Sequence, residues 1–208
     1  MRNNLKKIKI GVLGGAFNPP HFGHLKIAQI AKEKLKLDEI IFIPYGKPPL
    51  KKIGLAKAED RLKMVSLLIE GVGGFKVSDY EVKKKGKSYT IETIKYLKKK
   101  YKNSEIYWII GEDSLREIIE GKWKGKLKVL DLANFVVFLR PNSQFNLKTL
   151  PKELEKKKRN VLKKVILIKR KIPISASEIR EKIKKGEKVD KFLPKKVLRY
   201  IEKRRLYE

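Results

Sequence analysis

Six short apolar runs, rich in β-branched residues, recur along the chain at Ile8-Leu13, Ile40-Pro44, Phe75-Ser78, Ile106-Ile110, Phe135-Leu139 and Val165-Ile168. Each is read as near-continuously apolar, as expected for strands covered on both faces. Between them lie segments of helical periodicity at about Gly23-Lys36, Glu59-Glu70, Thr90-Tyr101, Asp113-Glu120, Leu127-Leu132, Ala176-Lys185 and Pro194-Lys203. Parallel neighbours need long crossovers, which helices supply, so the alternation predicts an α/β fold built on a doubly wound parallel sheet. No internal repeat or Gly/Ser linker interrupts it, and residues 1-208 are expected to form a single domain with C-terminal helices. Pro141-Asn160 loses the apolar periodicity and is expected to be a long loop or a surface helix.

Charge narrows the range of partners without choosing among them. Lys and Arg number 53 against 23 Asp and Glu, a net charge of +30, while 41% hydrophobic residues suffice for a core and exclude a disordered chain. Many lysines lie in predicted helices, at Lys32, Lys34 and Lys36, at Lys98, Lys99 and Lys100, and at Lys156, Lys157 and Lys158, often with Glu nearby, which is the pattern of a solvated helix face. The functional alternative is a field that draws polyanions, either nucleic acid or a nucleoside triphosphate. The absence of cysteine excludes disulfides, cysteine-bearing zinc sites and thiol nucleophiles. No apolar stretch approaches 18 residues, so no membrane-spanning helix is expected. The opening MRNNLKKIKIGVLGGAF has a basic head, but its apolar run is short and passes into Gly-Gly and Asn-Pro-Pro, so it reads as a first strand and not as a leader.

In an open α/β sheet the ligand crevice lies beyond the carboxyl ends of the strands, which directs attention to the loops after Leu13, Pro44, Ile110 and Leu139. The first of these runs Gly14-Gly15-Ala16-Phe17-Asn18-Pro19-Pro20-His21-Phe22-Gly23-His24 and leads directly into an amphipathic segment. Two glycines at a strand end let the backbone approach a ligand and leave N–H groups free for phosphate oxygens, and the helix start adds its positive end. The only two histidines of the chain stand three apart here, a spacing that turns both imidazoles toward one pocket. Each could instead cap or pack locally, but their pairing beside a Gly-Gly turn favours a shared anion. A metal is the rival ligand, yet two His with no Cys and no carboxylate in the loop make an incomplete set. Near the other end, Ile174-Ser175-Ala176-Ser177-Glu178-Ile179-Arg180 places two hydroxyls at a helix start with Arg180 one turn along, which suits an anion or else a plain N-cap with a surface Arg.

GGAFNPPHFGH resembles the H-x-G-H signature of the nucleotidyltransferase superfamily, and ISASEIR is similar to that superfamily's I-S-x-[ST]-x-I-R helix start. Two further stretches, Ser88-Tyr89-Thr90-Ile91-Glu92-Thr93 and Ile109-Ile110-Gly111-Glu112-Asp113-Ser114-Leu115, resemble the S-Y-T-x-x-T and I-I-G-x-D-x-L segments of bacterial nicotinate-mononucleotide adenylyltransferases. Trp123, Phe135 to Pro141, and Phe192-Leu193-Pro194 through Leu206-Tyr207 follow in that family's order, so the resemblance spans essentially the whole chain. It implies a Rossmann-like fold, a cytoplasmic enzyme of NAD biosynthesis, and ATP and nicotinate mononucleotide as substrates, with Mg²⁺ accompanying the ATP.

The roles implied by the resemblance fall in three groups. His21, His24 and Arg180 would be catalytic. ATP would be held by Gly14, Gly15, Ala16, Phe17, Gly111, Asp113, Ser175 and Ser177, with Asp113 at the adenosine ribose unless it serves only as a helix N-cap. The mononucleotide would meet Lys51, Thr90, Trp123 and Arg140, with the indole stacked on the pyridine ring or else a mere filler of the surface or core. No protein metal ligand is implied. The chain departs from the family pattern at Ala16 and Asn18, where Thr and Asp are usual, at Leu50 in place of His, and at Tyr45-Gly46 in place of an Asn-containing pair. The alternatives are an adenylyltransferase that prefers nicotinamide mononucleotide or takes both, and a basic nucleic-acid-binding module. The Lys-rich stretches lack the interleaved aromatics of a base-stacking surface, so nucleic-acid binding is expected to be weak and nonspecific at most. A homo-oligomer stays open.

Overall fold

In the computed structural model, residues 7–48, 54–139, 143–145, 164–170 and 172–208 are described. Strands β1 (Ile8–Gly15), β2 (Glu39–Pro44), β3 (Phe75–Val77), β4 (Ser104–Gly111), β5 (Asn134–Leu139) and β6 (Val165–Lys169) form one sheet in the order β3-β2-β1-β4-β5-β6. Every neighbouring pair is parallel, as the unbroken apolar runs require. The helices are α1 (Phe22–Leu35), α2 (Ala58–Ile69), α3 (Tyr80–Lys83), α4 (Thr90–Lys100), α5 (Glu112–Ile119), α6 (Ala176–Lys184) and α7 (Lys195–Lys203), with a 3-10 helix at Lys126–Asp131.

Alternate strand residues feed two cores, because successive side chains leave a strand on opposite faces. Leu13, Phe42, Ile109 and Val136 pack with Ala28 of α1, Met64 and Leu68 of α2, Ile179 of α6 and Val197 of α7. Their neighbours Val12, Ile41, Ile110 and Val137 face the other way, onto Ile94 and Leu97 of α4 and Leu115 and Ile118 of α5. Both faces are therefore dry.

The order sets the site. The chain winds outward from β1 through β2 to β3, then returns to the far side of β1 and winds outward through β4, β5 and β6. The helices after β1 and β4 thus leave toward opposite faces, and a crevice opens between the carboxyl ends of these two strands. Leu13 pairs with Ile109, so Gly15 and Gly111, each two residues further on, stand side by side at its mouth.

All six expected strands are present, with β1 carried two residues further to Gly15. Two expectations are corrected. The segment Leu127-Leu132 is a 3-10 helix, Lys126–Asp131, and not an α-helix, entered through Gly125 at φ +87°. The last helix begins at Lys195, with Pro194 as its N-cap. Helix α3 was not expected, since four residues carry no readable periodicity. The solvated-face reading holds for Lys34, Lys36, Lys98, Lys99 and Lys100, all exposed, whereas Lys156, Lys157, Lys158 and most of Pro141-Asn160 lie outside the described residues.

Candidate active site

The loop after β1 is folded by its own apolar residue. Phe17 is 1% exposed and packs its ring 5.9 Å from that of Phe42 and 4.9 Å from that of His24. This burial holds Phe17 at φ +50°, a backbone state that a bulky residue adopts only under constraint. A cis Asn18-Pro19 bond follows, and His21 caps α1.

The two imidazoles lie against each other with centroids 3.8 Å apart. The His21 amide donates to Nδ1 of His24 at 3.2 Å, which assigns the remaining proton of a neutral His24 to Nε2, the atom directed away from the backbone. His21 is 5% exposed, and its Nδ1 has no hydrogen-bond partner among the described residues. Burial pushes the His21 pKa down to about 4, and His24 is held well below its ordinary value by desolvation and then by His21. Both rings are therefore neutral at pH 7, so they offer N–H dipoles and not cations. Gly23 makes the pairing possible, since a Cβ there would stand 2.8 Å from His21 Nδ1 and 3.2 Å from Ile174 Cβ.

The opposite wall comes from the start of α6. Ser175 is its N-cap but makes no side-chain capping bond, and its hydroxyl instead lies 2.7 Å from that of Ser177, with both residues exposed. Arg180 is not a plain surface residue: its Nη1 donates to the Asn18 carbonyl at 2.8 Å, joining the early loop to the late motif. A pocket of about 210 Å³ lies between them, walled by Ala16, Phe17, Asn18, His24, Leu55, Ala176 and Arg180. Gly14 and Gly15 end β1 behind it. Gly111 ends β4 and is itself the N-cap of α5, so Asp113 lies in the first turn and the reading of Asp113 as that cap is corrected.

Beyond the carboxyl ends of β2 and β3 a second cluster is organised around a buried acid. Thr93 donates to Glu81 at 2.5 Å, and burial raises the carboxyl pKa of Glu81. Ser88 Oγ accepts from the Gly46 amide at 3.2 Å, and a Cβ on Gly46 would overlap the Glu81 carbonyl oxygen. Thr90 opens α4 beside this cluster, and Glu92 in the same turn pairs with both Lys84 and Lys124. Trp123 is half-buried against the second core, with its indole N–H on Glu117 at 2.9 Å. Lys51, Arg140 and Leu50 lie outside the described residues.

Three residues that sequence reasoning did not select for the site complete it. Arg61, Asn18 and Tyr207 fasten the first loop from below, through bonds to chain segments far away in sequence. One signal was present for Arg61: it falls in register with Met64, Val65 and Leu68 on the apolar stripe of α2, where a charge has no ordinary place.

A parallel sheet in this order, with His24 backed by the His21 ring and sharing one pocket with the arginine-bearing helix start, is the arrangement of the nucleotidyltransferase class. Residues 12–182 match the family described as Cytidylyltransferase-like. The Clostridium tetani protein named "Probable nicotinate-nucleotide adenylyltransferase" is 44% identical over 204 residues, which is 96% of this chain and 98% of that one. A Desulfitobacterium hafniense protein of the same name is 37% identical over 212 residues, 100% of this chain and 99% of its own. The chain therefore belongs to the nicotinate-nucleotide adenylyltransferase family. Its fold is shared with the Plasmodium falciparum nicotinic acid mononucleotide adenylyltransferase complexed with NaAD, at a TM-score of 0.74 and 19% identity, with 96% of this chain and 97% of that chain covered. No described helix is long and apolar enough to cross a membrane.

Proposed function

We infer that the chain transfers the adenylyl group of ATP to nicotinate mononucleotide, forming deamido-NAD and releasing pyrophosphate. The observation that carries this reading is the single pocket in which the Phe17–His24 loop and Arg180 meet. A 5′-phosphate oxygen of the mononucleotide attacks the α-phosphorus of ATP in line, the bond from that phosphorus to the β-bridging oxygen breaks, and pyrophosphate leaves with the electron pair. No covalent enzyme intermediate is needed, so catalysis consists of positioning and of stabilising charge on the α-phosphate oxygens.

Neutral His24 donates from Nε2 to an α-phosphate oxygen, and His21 stands beside it. Amides of the Gly15–Phe17 turn add further donors, and Gly14 lets the strand end approach. Arg180 with the hydroxyls of Ser175 and Ser177 holds the β- and γ-phosphates and then the leaving group. Gly111 and Asp113 meet the adenosine ribose, where the carboxylate accepts from the hydroxyls. Thr90 and Trp123 take the pyridine end, with Lys51 and Arg140 on the mononucleotide phosphate. Among the described residues no three His, Asp or Glu stand together as a metal cage. Mg²⁺ would be held by the triphosphate and not by residues of this chain, and would supply neutralisation of phosphate charge there.

The test is pyrophosphate release from ATP and Mg²⁺ with nicotinate or nicotinamide mononucleotide in parallel, with the dinucleotide identified. Preferential turnover of the nicotinate substrate is expected. Preference for the amide overturns the acceptor assignment, and no turnover with either overturns the reading.

A further inference from the structure

Arg61 is the largest fully buried side chain of the molecule's described part, 1% exposed, and it stands in the first turn of α2. That is the wrong end of a helix for a cation, because the N-terminal end already carries positive potential. No carboxylate among the described residues bonds its guanidinium. Instead Nε donates to the Ala56 carbonyl at 3.0 Å, Nη1 to Ala16 at 2.8 Å, and Nη2 to Tyr45 at 2.7 Å and Gly46 at 3.2 Å. The Tyr45 ring lies 5.1 Å away. A buried cation satisfied only by backbone oxygens keeps its net charge, and an apolar side chain would fill the same space at a lower desolvation cost.

The four carbonyls identify what the charge holds. Ala16 lies in the loop after β1, Tyr45 and Gly46 in the segment after β2, and Ala56 just before α2, so one guanidinium ties together three segments that border the crevice. The Ala16 bond has a directional consequence. The Ala16-Phe17 peptide is trans, so its carbonyl and its N–H point in opposite directions. With the carbonyl fixed on Arg61, the Phe17 N–H faces away from Arg61, and both residues of that peptide, Ala16 and Phe17, line the pocket, whereas Arg61 does not. That N–H has no acceptor among the described residues. A hydrogen bond from a cation onto the carbonyl also polarises the peptide and strengthens its N–H as a donor.

We propose that Arg61 is a positioning residue for adenylyl transfer: it turns the Phe17 amide toward the transferring phosphate and locks the loops after β1 and β2 around the nucleotide. The proposal rests on the adenylyltransferase reading, and its test separates the two. In the ¹⁵N-labelled wild-type protein, titration with ATP and Mg²⁺ is expected to move the Phe17 amide resonance strongly downfield. Arg61→Lys keeps the charge but cannot span four carbonyls. It is expected to shrink that displacement and to lower kcat about tenfold or more, a fraction of the loss seen when a transition-state donor is removed outright, with KM for nicotinate mononucleotide little changed.

A Phe17 amide unmoved at saturating ATP in a protein that turns over overturns the positioning role and leaves the enzyme reading intact. A variant with normal kcat does the same. Absence of ATP binding removes both. Because the amide is read in the wild-type protein, the result stands even if Arg61→Lys fails to fold.

Discussion

The Tyr207 hydroxyl donates to Oδ1 of Asn18 at 2.8 Å, joining positions 189 residues apart in sequence. The same Oδ1 accepts from the Ala56 amide at 3.0 Å, while Nδ2 donates to the Gly54 carbonyl at 2.9 Å. With Arg180 on its main-chain oxygen, Asn18 is the point where the first loop, the approach to α2, α6 and the segment after α7 are fastened. This accounts for the departure from the family's Asp: an ionised carboxylate has no donor for Gly54. The segment that carries Tyr207 is itself anchored, since Tyr200 and Arg204 both bond Asp60 of α2.

Tyr207→Phe tests this brace with almost no change of shape. Burial raises the Tyr207 pKa, so the hydroxyl remains a donor at neutral pH. Its loss leaves Asn18 Oδ1 with Ala56, so the expected cost is that of one net hydrogen bond, about 1 kcal/mol in urea unfolding. Because Asn18 adjoins Phe17, kcat should fall several-fold, and an unaltered kcat at reduced stability would show that the brace does not reach the chemistry.

Two glycines predict different failures. Gly46→Ala drives a methyl into the Glu81 carbonyl oxygen, a backbone atom that can yield only by moving α3, and a loss of about 1–3 kcal/mol in urea unfolding is expected. Gly23→Ala sets a methyl 2.8 Å from His21 Nδ1 and 3.2 Å from Ile174 Cβ, so it displaces side chains and no backbone atom, and its cost should appear as reduced kcat with a smaller change in stability. The two variants compared by denaturation and by initial rate check the distinction.

His24→Ala removes the Nε2 donor without opening the core, because the His24 ring lines the pocket and belongs to neither apolar core. A fall in kcat of roughly a hundredfold or more is expected, the scale for one lost transition-state donor, with an unchanged circular dichroism spectrum. A near-normal rate would remove His24 from the reaction.

What the sequence disclosed and what it hid follow from the range of the interactions. The strands were legible because parallel strands buried on both faces are written as local apolar runs, and the His21–His24 pair because one helix turn sets its geometry. Ser175, Ser177 and Arg180 were legible as a helix start, but the contact of Arg180 with Asn18 spans 162 residues and has no local signature. Arg61 was hidden for the same reason, since its acceptors are main-chain carbonyls, which any residue type can supply. Helix α3 is too short to show a period, yet it carries Glu81, the buried acid beneath the α4 helix start.

Acid should unfold the protein through the same residue that equips the site. His21 has a folded pKa of about 4 against an ordinary value of 6.5, so between these values the unfolded chain binds a proton that the folded chain refuses. Stability from this group is complete above pH 6.5 and is lost as pH falls toward 4, on the order of 3 kcal/mol in all. His24 acts in the same direction. The acids Glu70, Asp79, Glu92 and Glu187, whose pKa values are lowered by lysine partners, contribute only below the ordinary carboxylate range, while Glu81, raised by burial, opposes the slope just above it. Comparing wild type with His21→Asn cancels these carboxylates. Urea unfolding at pH 7.5 and pH 4.5 should show a markedly smaller acid loss in the variant. Equal losses in both proteins would mean that His21 is not held neutral by burial, and the assignment of uncharged imidazole donors at the α-phosphate would fall with it.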